Sequence, residues 1–166
     1  GGAMGSIYLQ NRKFTEARGD MSWNVVEQAT YLKKARDIIP EKIIKFFSDI
    51  KEIPSTDNDF LLLSSVLQYL PETWEFFEEV VASGRFRWIF FDRTAFNLEA
   101  RDRITVQEVP EIIYKASYPC RFLNLEHLER VFKKNNYEKV FLHESFEKAN
   151  IPSRFLGGLY KSTGRN

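Results

Sequence analysis

The sequence predicts an α/β fold in which a mostly parallel sheet carries helices on its faces and antiparallel C-terminal strands close the sheet. Apolar, strand-like runs alternate with helical patterns along the chain, which is typical of parallel sheets. A glycine-rich turn precedes a helical pattern, a strand and an acidic residue. The last two strand-like runs, Tyr137 to Phe146 and Arg154 to Lys161, are joined by a short loop and predict the antiparallel pair.

Composition excludes several classes of function. The 166 residues are 43% hydrophobic, which suits one domain with a substantial core. With 24 basic and 23 acidic residues the net charge is +1, so nothing favours a nucleic-acid partner. The single cysteine, Cys120, excludes an internal disulfide and a cysteine-built zinc site. No apolar run approaches the roughly 20 residues of a membrane span and no signal peptide is present, so we expect a cytoplasmic protein with no membrane partner.

The glycine-rich turn is Gly1–Ser6, and its helical pattern extends to a stop signal at Gly19. Glycine accepts positive φ and lets the main chain approach a ligand closely. The apolar run Trp23–Val26 then predicts a parallel strand that ends on Glu27. An acid about 20 residues after such a turn is typical of dinucleotide-type sites, where it binds the ribose hydroxyls. A trimmed expression tag leaves a similar hexapeptide, and the register of helix, strand and acid favours the native interpretation.

The later segments continue the alternation. The predicted elements are a helix over 31–36, strands over 43–47, 60–63 and 87–91, a helix opening at Pro71 and stopping at Gly84, and a helix from Asn124 to Asn135. Residues 60–63 form a continuous apolar run, which predicts a strand buried on both faces. Residues 95–122 show no clean period and contain several aromatic residues. We expect them to form an insertion that binds the second substrate.

Ligands of open α/β sheets bind at the carboxyl ends of the strands. The polar residues predicted there are Gly1 to Ser6, Glu27, Gln28, Asp49, Ser64, Ser65, Gln68, Asp92 and Arg93. The clustering of these polar residues at the strand ends predicts a nucleoside-bearing ligand. A phosphate-binding P-loop is disfavoured, because no Lys-Ser/Thr pair follows the glycines.

Six blocks of this sequence together resemble a bacterial family of class I S-adenosylmethionine-dependent methyltransferases, over nearly the whole chain. The blocks are Gly1–Ser6, Asn11–Phe14, Trp23–Gln28, Leu62–Leu70, Asp92–Thr94 and Ala116–Cys120. The resemblance implies a Rossmann-like, three-layer sandwich and S-adenosyl-L-methionine as cofactor. It also implies that the glycine block is native sequence.

The resemblance assigns a role to each cofactor-binding candidate. Gly1, Gly2, Gly5 and Ser6 would form the turn under the methionine moiety. Glu27 would bind the ribose hydroxyls, with Gln28 beside the adenine. Asp49 and Ile50 would flank the adenine. The methionine end would be lined by Ser64, Ser65 and Gln68.

The reaction needs little from the protein, since the sulfonium is already activated and catalysis is chiefly positioning. Asp92 is a candidate base and Arg93 a candidate anchor for an acidic acceptor. Thr94, Tyr114 and Tyr118 are candidates for acceptor recognition.

Ordinary structural roles compete with these assignments. Asp92 and Arg93 could form a structural ion pair, and Asp49, Ser64 or Ser65 could cap a helix. His127 and His143 lie too far apart in the pattern to suggest a metal pair, so we expect surface or supporting positions for both, and no metal site.

Three functions remain open on the sequence. We prefer methyl transfer to a small-molecule or glycan-type acceptor. An NAD-type oxidoreductase would have a similar glycine turn and acid, and a non-catalytic binding domain would keep the fold without the reaction. In the resembling family a strand precedes the glycine block, and a sheet without that strand would have exposed edges. We therefore expect this chain to be a fragment of a longer protein that has at least one more strand.

Overall fold

The computed structural model describes residues 5–17, 21–39, 44–56, 59–112 and 115–164. They divide into two compact units, one extending to Ser55 and the other beginning at Thr56. Gly1, Gly2 and Tyr114, three of the candidate site residues, lie outside the described residues, as does the predicted helix stop at Gly19.

The N-terminal unit is a parallel strand pair with three helices. Its elements are α1 (Ser6–Gln10), α2 (Arg12–Glu16), β1 (Trp23–Val26), α3 (Ala29–Ile38) and β2 (Ile44–Phe47), followed by a 3₁₀ turn over Ile50–Glu52. β1 and β2 pair in parallel, with Val25 opposite Phe46. The predicted parallel strand at Trp23–Val26 is therefore confirmed. The helix predicted after the glycine turn is instead two short helices, because Asn11 leaves the helical conformation between them.

A small apolar core holds this unit together. It consists of Tyr8, Val25, Leu32, Ala35, Ile39, Ile44 and Phe46. Gly5 lies against this core with φ +82°, and a Cβ there would come within 2.7 Å of Ile44 Cδ1. Glycine is required at this position by both the backbone conformation and the packing.

The C-terminal unit contains a four-stranded sheet in the order β3-β4-β8-β7. Its elements are β3 (Phe60–Ser64), α4 (Thr73–Ala82), β4 (Trp88–Asn97), β5 (Arg103–Val109), β6 (Ala116–Phe122), α5 (Leu125–Lys134), β7 (Tyr137–Glu144) and β8 (Ser153–Ser162), with a 3₁₀ turn over Leu67–Tyr69. β3 and β4 are parallel, whereas β8 is antiparallel to both β4 and β7. The predicted antiparallel closure by the two last strands is confirmed.

Aromatic side chains dominate the core of this unit. Phe132 stacks on Tyr160 at 3.8 Å between ring centroids and meets Phe77 edge to face at 5.1 Å. Phe91 packs against Phe96 and Tyr160. The amphipathic pattern of α5 directs Leu128, Val131 and Phe132 into this core. The Asn124 side chain caps that helix by accepting a hydrogen bond from the His127 amide, as the sequence predicts.

Four sequence-based expectations need correction. β3 is an edge strand of its sheet and Phe60 is 54% exposed, so the strand is not buried on both faces. α4 begins at Thr73 and not at Pro71. β4 does not end at Asp92 but continues to Asn97 through a register shift between Phe91 and Thr94. Residues 103–122 are not irregular, because β5 and β6 form an antiparallel hairpin.

The composition of this hairpin explains why its strands are difficult to recognise from the sequence. Ile104 and Val106 are exposed on one face of β5, and Pro119 occupies β6 opposite Val106. A proline within a strand weakens the sequence signal for that strand, because it cannot donate a hydrogen bond to the neighbouring strand. Among the described residues, no helix has the length and apolar character needed to cross a bilayer.

Candidate functional site

In the N-terminal unit, Glu27 follows β1 at its carboxyl end. The Glu27 amide donates to the Phe47 carbonyl oxygen at 3.1 Å, which continues the pairing with β2 by one residue. The Gln28 amide donates to Glu27 Oε1 at 2.9 Å. These contacts hold a half-buried carboxylate at the end of a parallel strand, where its oxygens can accept hydrogen bonds from hydroxyl groups.

Asp49 and Ile50 follow β2 in the same unit. Asp49 is exposed, and its Oδ1 accepts a hydrogen bond from the Lys51 amide at 2.8 Å. It therefore caps the 3₁₀ turn, which is the structural alternative that the sequence left open for this residue. Ile50 is half-buried in that turn. Ser6, the last residue of the glycine block, is half-buried at the first position of α1.

A groove of about 470 Å³ also lies in the N-terminal unit, between α3 and the segment after β2. Its lining includes Lys33, Arg36, Ser48 and Glu52 and contains none of the predicted cofactor-binding residues. The groove is open to solvent and therefore supports no site by itself.

In the C-terminal unit, a polar cluster lies where the parallel pairing of β3 with β4 ends. Ser64 and Asp92 are register partners on these strands, and the Ser64 hydroxyl donates to Asp92 Oδ2 at 3.3 Å. Arg93 Nη2 donates to Ser64 Oγ at 3.1 Å, and Arg93 Nε lies 3.5 Å from Asp92 Oδ2. The structure therefore brings together three residues that the sequence singled out. The ion pair that the sequence left open as an alternative is present.

The backbone of this cluster is strained. Ser65 and Arg93 adopt φ values of +51° and +49°, although neither is glycine. The Ser65 amide donates to the Asp92 carbonyl oxygen at 2.8 Å. Gln68, which is 2% exposed, donates from Nε2 to Ser65 Oγ at 3.1 Å and to the Arg93 carbonyl oxygen at 3.0 Å. Such conformations cost about 1–3 kcal/mol each and cluster at functional sites.

Two candidates for acceptor recognition lie elsewhere in this unit. Thr94 is fully buried and its hydroxyl donates to the Asp92 carbonyl oxygen at 3.3 Å, so its side chain supports the strand and is closed to an acceptor. Tyr118, on β6, is half-buried and meets Tyr69 edge to face with 5.5 Å between ring centroids. The Tyr69 hydroxyl donates to Gln107 Oε1 at 2.9 Å, and burial raises the pKa of the Tyr69 phenol.

Three further residues belong to the polar cluster, although the sequence did not assign them to it. His143 Nε2 lies 3.7 Å from Asp92 Oδ1, and Arg93 Nε lies 3.8 Å from Glu147 Oε1. Gly157, which pairs with His143 across β7 and β8, leaves room for the imidazole. A glycine inside a strand often marks a close approach, and the Gly157-Gly158 pair was the available signal.

Metal and thiol chemistry receive no support from the geometry. Within the described residues, no group of three or more His, Cys, Asp and Glu side chains is arranged to hold a metal ion. Cys120 is 3% exposed, and burial raises the pKa of its thiol to about 11. A buried thiol of this kind is a small apolar core residue.

Comparison with known proteins identifies the fold. No protein-family profile and no curated protein sequence match the chain, but many solved structures do. The N-terminal domain of EvdMO1 with SAH bound matches at a TM-score of 0.58 and 13% identity, over 86% of this chain and 65% of that one. The same domain was also crystallised in the presence of SAH and D-fucose.

A second match is a S-adenosylmethionine-dependent methyltransferase from Methanosarcina mazei, at a TM-score of 0.59 and 10% identity, over 85% of this chain and 82% of that one. A third is described as a pericyclic reaction enzyme, at a TM-score of 0.58 and 14% identity, over 98% of this chain and 42% of that one. The chain thus spans just under two thirds of the EvdMO1 domain and less than half of the pericyclic enzyme. It has the Rossmann-like α/β fold of these proteins, and that fold alone does not decide the reaction.

Proposed function

We propose that this protein transfers a methyl group from S-adenosyl-L-methionine to a small-molecule or glycan-type acceptor. The observation that carries the proposal is the fold that this chain shares with a S-adenosylmethionine-dependent methyltransferase and with a domain crystallised with SAH bound. The presence of D-fucose in one of those crystals supports a sugar-like acceptor. Glu27 and Ser64 lie at the carboxyl ends of parallel strands, which is where ligands of such sheets bind.

The N-terminal unit fits the nucleoside part of this cofactor. Glu27 presents a carboxylate that can accept hydrogen bonds from both ribose hydroxyls, and Gln28 follows it on the exposed side. Asp49 and Ile50 are the adenine-flanking candidates. Gly5 and Ser6, at the start of α1, are proposed to belong to the turn under the methionine moiety. Gly1 and Gly2 remain proposed members of the same turn.

The C-terminal unit supplies the proposed residues for the methionine end and for the acceptor. When bound, the cofactor supplies a methyl group that its sulfonium has already activated. Ser64, Ser65 and Gln68 are proposed to line the methionine end. Asp92 and Arg93 place a negative and a positive group next to each other, and Arg93 can anchor an acceptor that carries an acidic group. Tyr114 and Tyr118 are proposed to recognise the acceptor.

Binding titrations test the cofactor assignment. We expect calorimetry of the full chain to detect SAH binding, and NAD binding to be absent or much weaker. Glu27→Gln should weaken SAH binding about 10-fold or more, because a charged hydrogen-bond acceptor for the ribose is lost. Glu16→Gln, an exposed acid of the same unit, is the matched control and should leave the affinity unchanged. Tight NAD binding without SAH binding would favour an oxidoreductase and overturn the proposal.

A further inference from the structure

The imidazole of His143 lies against bare main chain. His143 is near the end of β7 and is paired with Gly157 on β8. A Cβ at position 157 would lie 2.8 Å from His143 Nε2 and 3.0 Å from Asp92 Oδ1, and closer still to the ring carbon Cε1. Real Cβ atoms do not approach other atoms so closely, so the absence of a side chain at Gly157 is what allows the ring and the carboxylate to meet.

The two oxygens of Asp92 have different partners. Oδ2 accepts the Ser64 hydroxyl and faces the Arg93 guanidinium, whereas Oδ1 faces His143 Nε2 at 3.7 Å. The Ser64 and Arg93 contacts therefore fix the plane of the carboxylate and direct its second oxygen towards the imidazole. A carboxylate this close to a histidine ring favours the positive charge that the ring acquires on taking a proton.

The local backbone takes Asp92 and Arg93 out of register with β8, although Asp92 still pairs with Ser64 on β3. β4 shifts its pairing with β8 between Phe91 and Thr94, and Arg93 in that gap has φ +49°. Irregularities of this kind redirect side chains and occur next to active sites. The Arg93 carbonyl oxygen accepts from the buried Gln68 amide, which holds the strained segment in place.

We propose that His143 accepts the proton that the methyl acceptor loses, and that Asp92 is the positioning residue for its ring. This inference rests on the proposed methyl transfer and deepens it, because it assigns the acceptor to molecules that react through a hydroxyl or an ammonium group. A base matters only for such acceptors. The ring is 44% exposed, so an acceptor can reach it.

The step balances without a further reactant. The acceptor oxygen or nitrogen forms a bond to the transferred methyl carbon while its own proton passes to a ring nitrogen of His143. The electron pair of the broken carbon–sulfur bond stays on sulfur. Asp92 remains ionised throughout and faces the imidazolium, which later releases its proton to water.

A purely structural role explains these features less well. Half-exposed ion pairs contribute little to stability. The strained backbone at Ser65 and Arg93 destabilises the fold by more than such an ion pair stabilises it. A surface ion pair would also not require a glycine, Gly157, beneath the imidazole ring of His143.

Methyl transfer from S-adenosylmethionine labelled with ¹³C in the methyl group tests the inference. The acceptors are supplied as a small-molecule extract of the cells that make the protein, and the ¹³C chemical shift reports the atom that received the label. We expect O-methyl or N-methyl products. His143→Ala should keep the SAH affinity within about twofold and lower labelling about 100-fold or more, the typical contribution of a general base.

The controls distinguish a failure of the role assigned to His143 from a failure of the methyltransferase proposal. Added imidazole should restore part of the activity of His143→Ala, which a structural defect would not allow, and His127→Asn should label at the normal rate. Labelling on carbon or sulfur, or undiminished labelling by His143→Ala, overturns the role of His143 and leaves the methyltransferase proposal standing. Loss of SAH binding in His143→Ala also overturns it, because the ring would then serve the cofactor. Absence of SAH binding or of labelling in the unmodified protein overturns both proposals.

Discussion

The C-terminal unit contains two histidine–carboxylate pairs, and they differ in their surroundings. His127, on α5, lies 3.1 Å from Glu78 on α4, and its ring stacks on Trp74 with 4.0 Å between centroids. His143 lies 3.7 Å from Asp92, beside a bare glycine and a strained segment of β4. The closer pair joins two helices on their surface, and the wider pair lies where the parallel pairing of β3 with β4 ends.

The contrast teaches that the distance between two charged groups does not indicate function. The His127 ring has an aromatic partner, and its amide satisfies the helix cap, so ordinary helix packing explains its position. The position of His143 depends on features that cost stability. A functional site is recognised by such locally destabilising features together with its position in the fold.

The largest expected effect on stability concerns the contacts around the helical pair, His127 and Glu78. Asp102 accepts hydrogen bonds from the Trp74 indole at 2.7 Å, the Asn124 amide at 2.8 Å and the Arg121 guanidinium at 3.3 Å. Asp102→Ala should lower the free energy of unfolding by about 3 kcal/mol, because it removes the carboxylate partner of a mostly buried guanidinium and the acceptor of two further donors. Urea unfolding measures this change.

The matched control for Asp102→Ala is Glu99→Ala, which removes an exposed pair with Arg101 in the same segment. It should cost less than about 0.5 kcal/mol. Equal losses in the two variants would mean that the buried contacts around Trp74 do not support the helical pair.

A smaller effect distinguishes the two adjacent glycines of β8. A Cβ at Gly158 would lie 2.8 Å from Phe91 Cζ and 3.0 Å from Leu142 Cδ1, and Phe91 is fully buried. Gly158→Ala should therefore cost about 1–3 kcal/mol by overpacking. Gly157→Ala should cost less, because the half-exposed His143 ring can turn into solvent.

Chemical denaturation and the NMR signals of the two histidine rings measure both glycine variants. Only Gly157→Ala should displace the His143 ring signal strongly while that of His127 stays in place. An unchanged His143 signal in that variant would contradict the close packing of ring and glycine.

The smallest effect compares the two histidines directly. His127→Asn removes the stack on Trp74 and the pair with Glu78, and should cost about 0.5–1 kcal/mol. His143→Asn should leave the free energy of unfolding unchanged within about 0.3 kcal/mol, since few of its contacts are buried. Thermal or urea unfolding of the two variants decides this, and a greater loss from His143→Asn would mean that His143 serves stability.

The sequence could predict much of the local structure because the signals were local. The strand at Trp23–Val26, the cap at Asn124 and the antiparallel ending follow from apolar patterns and side chains close in the chain. The same reasoning identified Ser64, Asp92 and Arg93, because polar residues just after apolar runs lie at strand ends. It misjudged β3, since a run of apolar residues does not show whether a strand is central or at an edge.

The sequence alone determined the α/β class, most of the helices and strands outside residues 103–122, and the polar residues that follow apolar runs, because each depends on neighbours within a few positions. Only the tertiary structure placed β8 between β4 and β7 and brought His143, Asp92 and Gly157 together. Those residues lie on three different strands, and strand order and register depend on packing among distant segments. The proposed proton acceptor was therefore an ordinary strand histidine until the sheet was assembled.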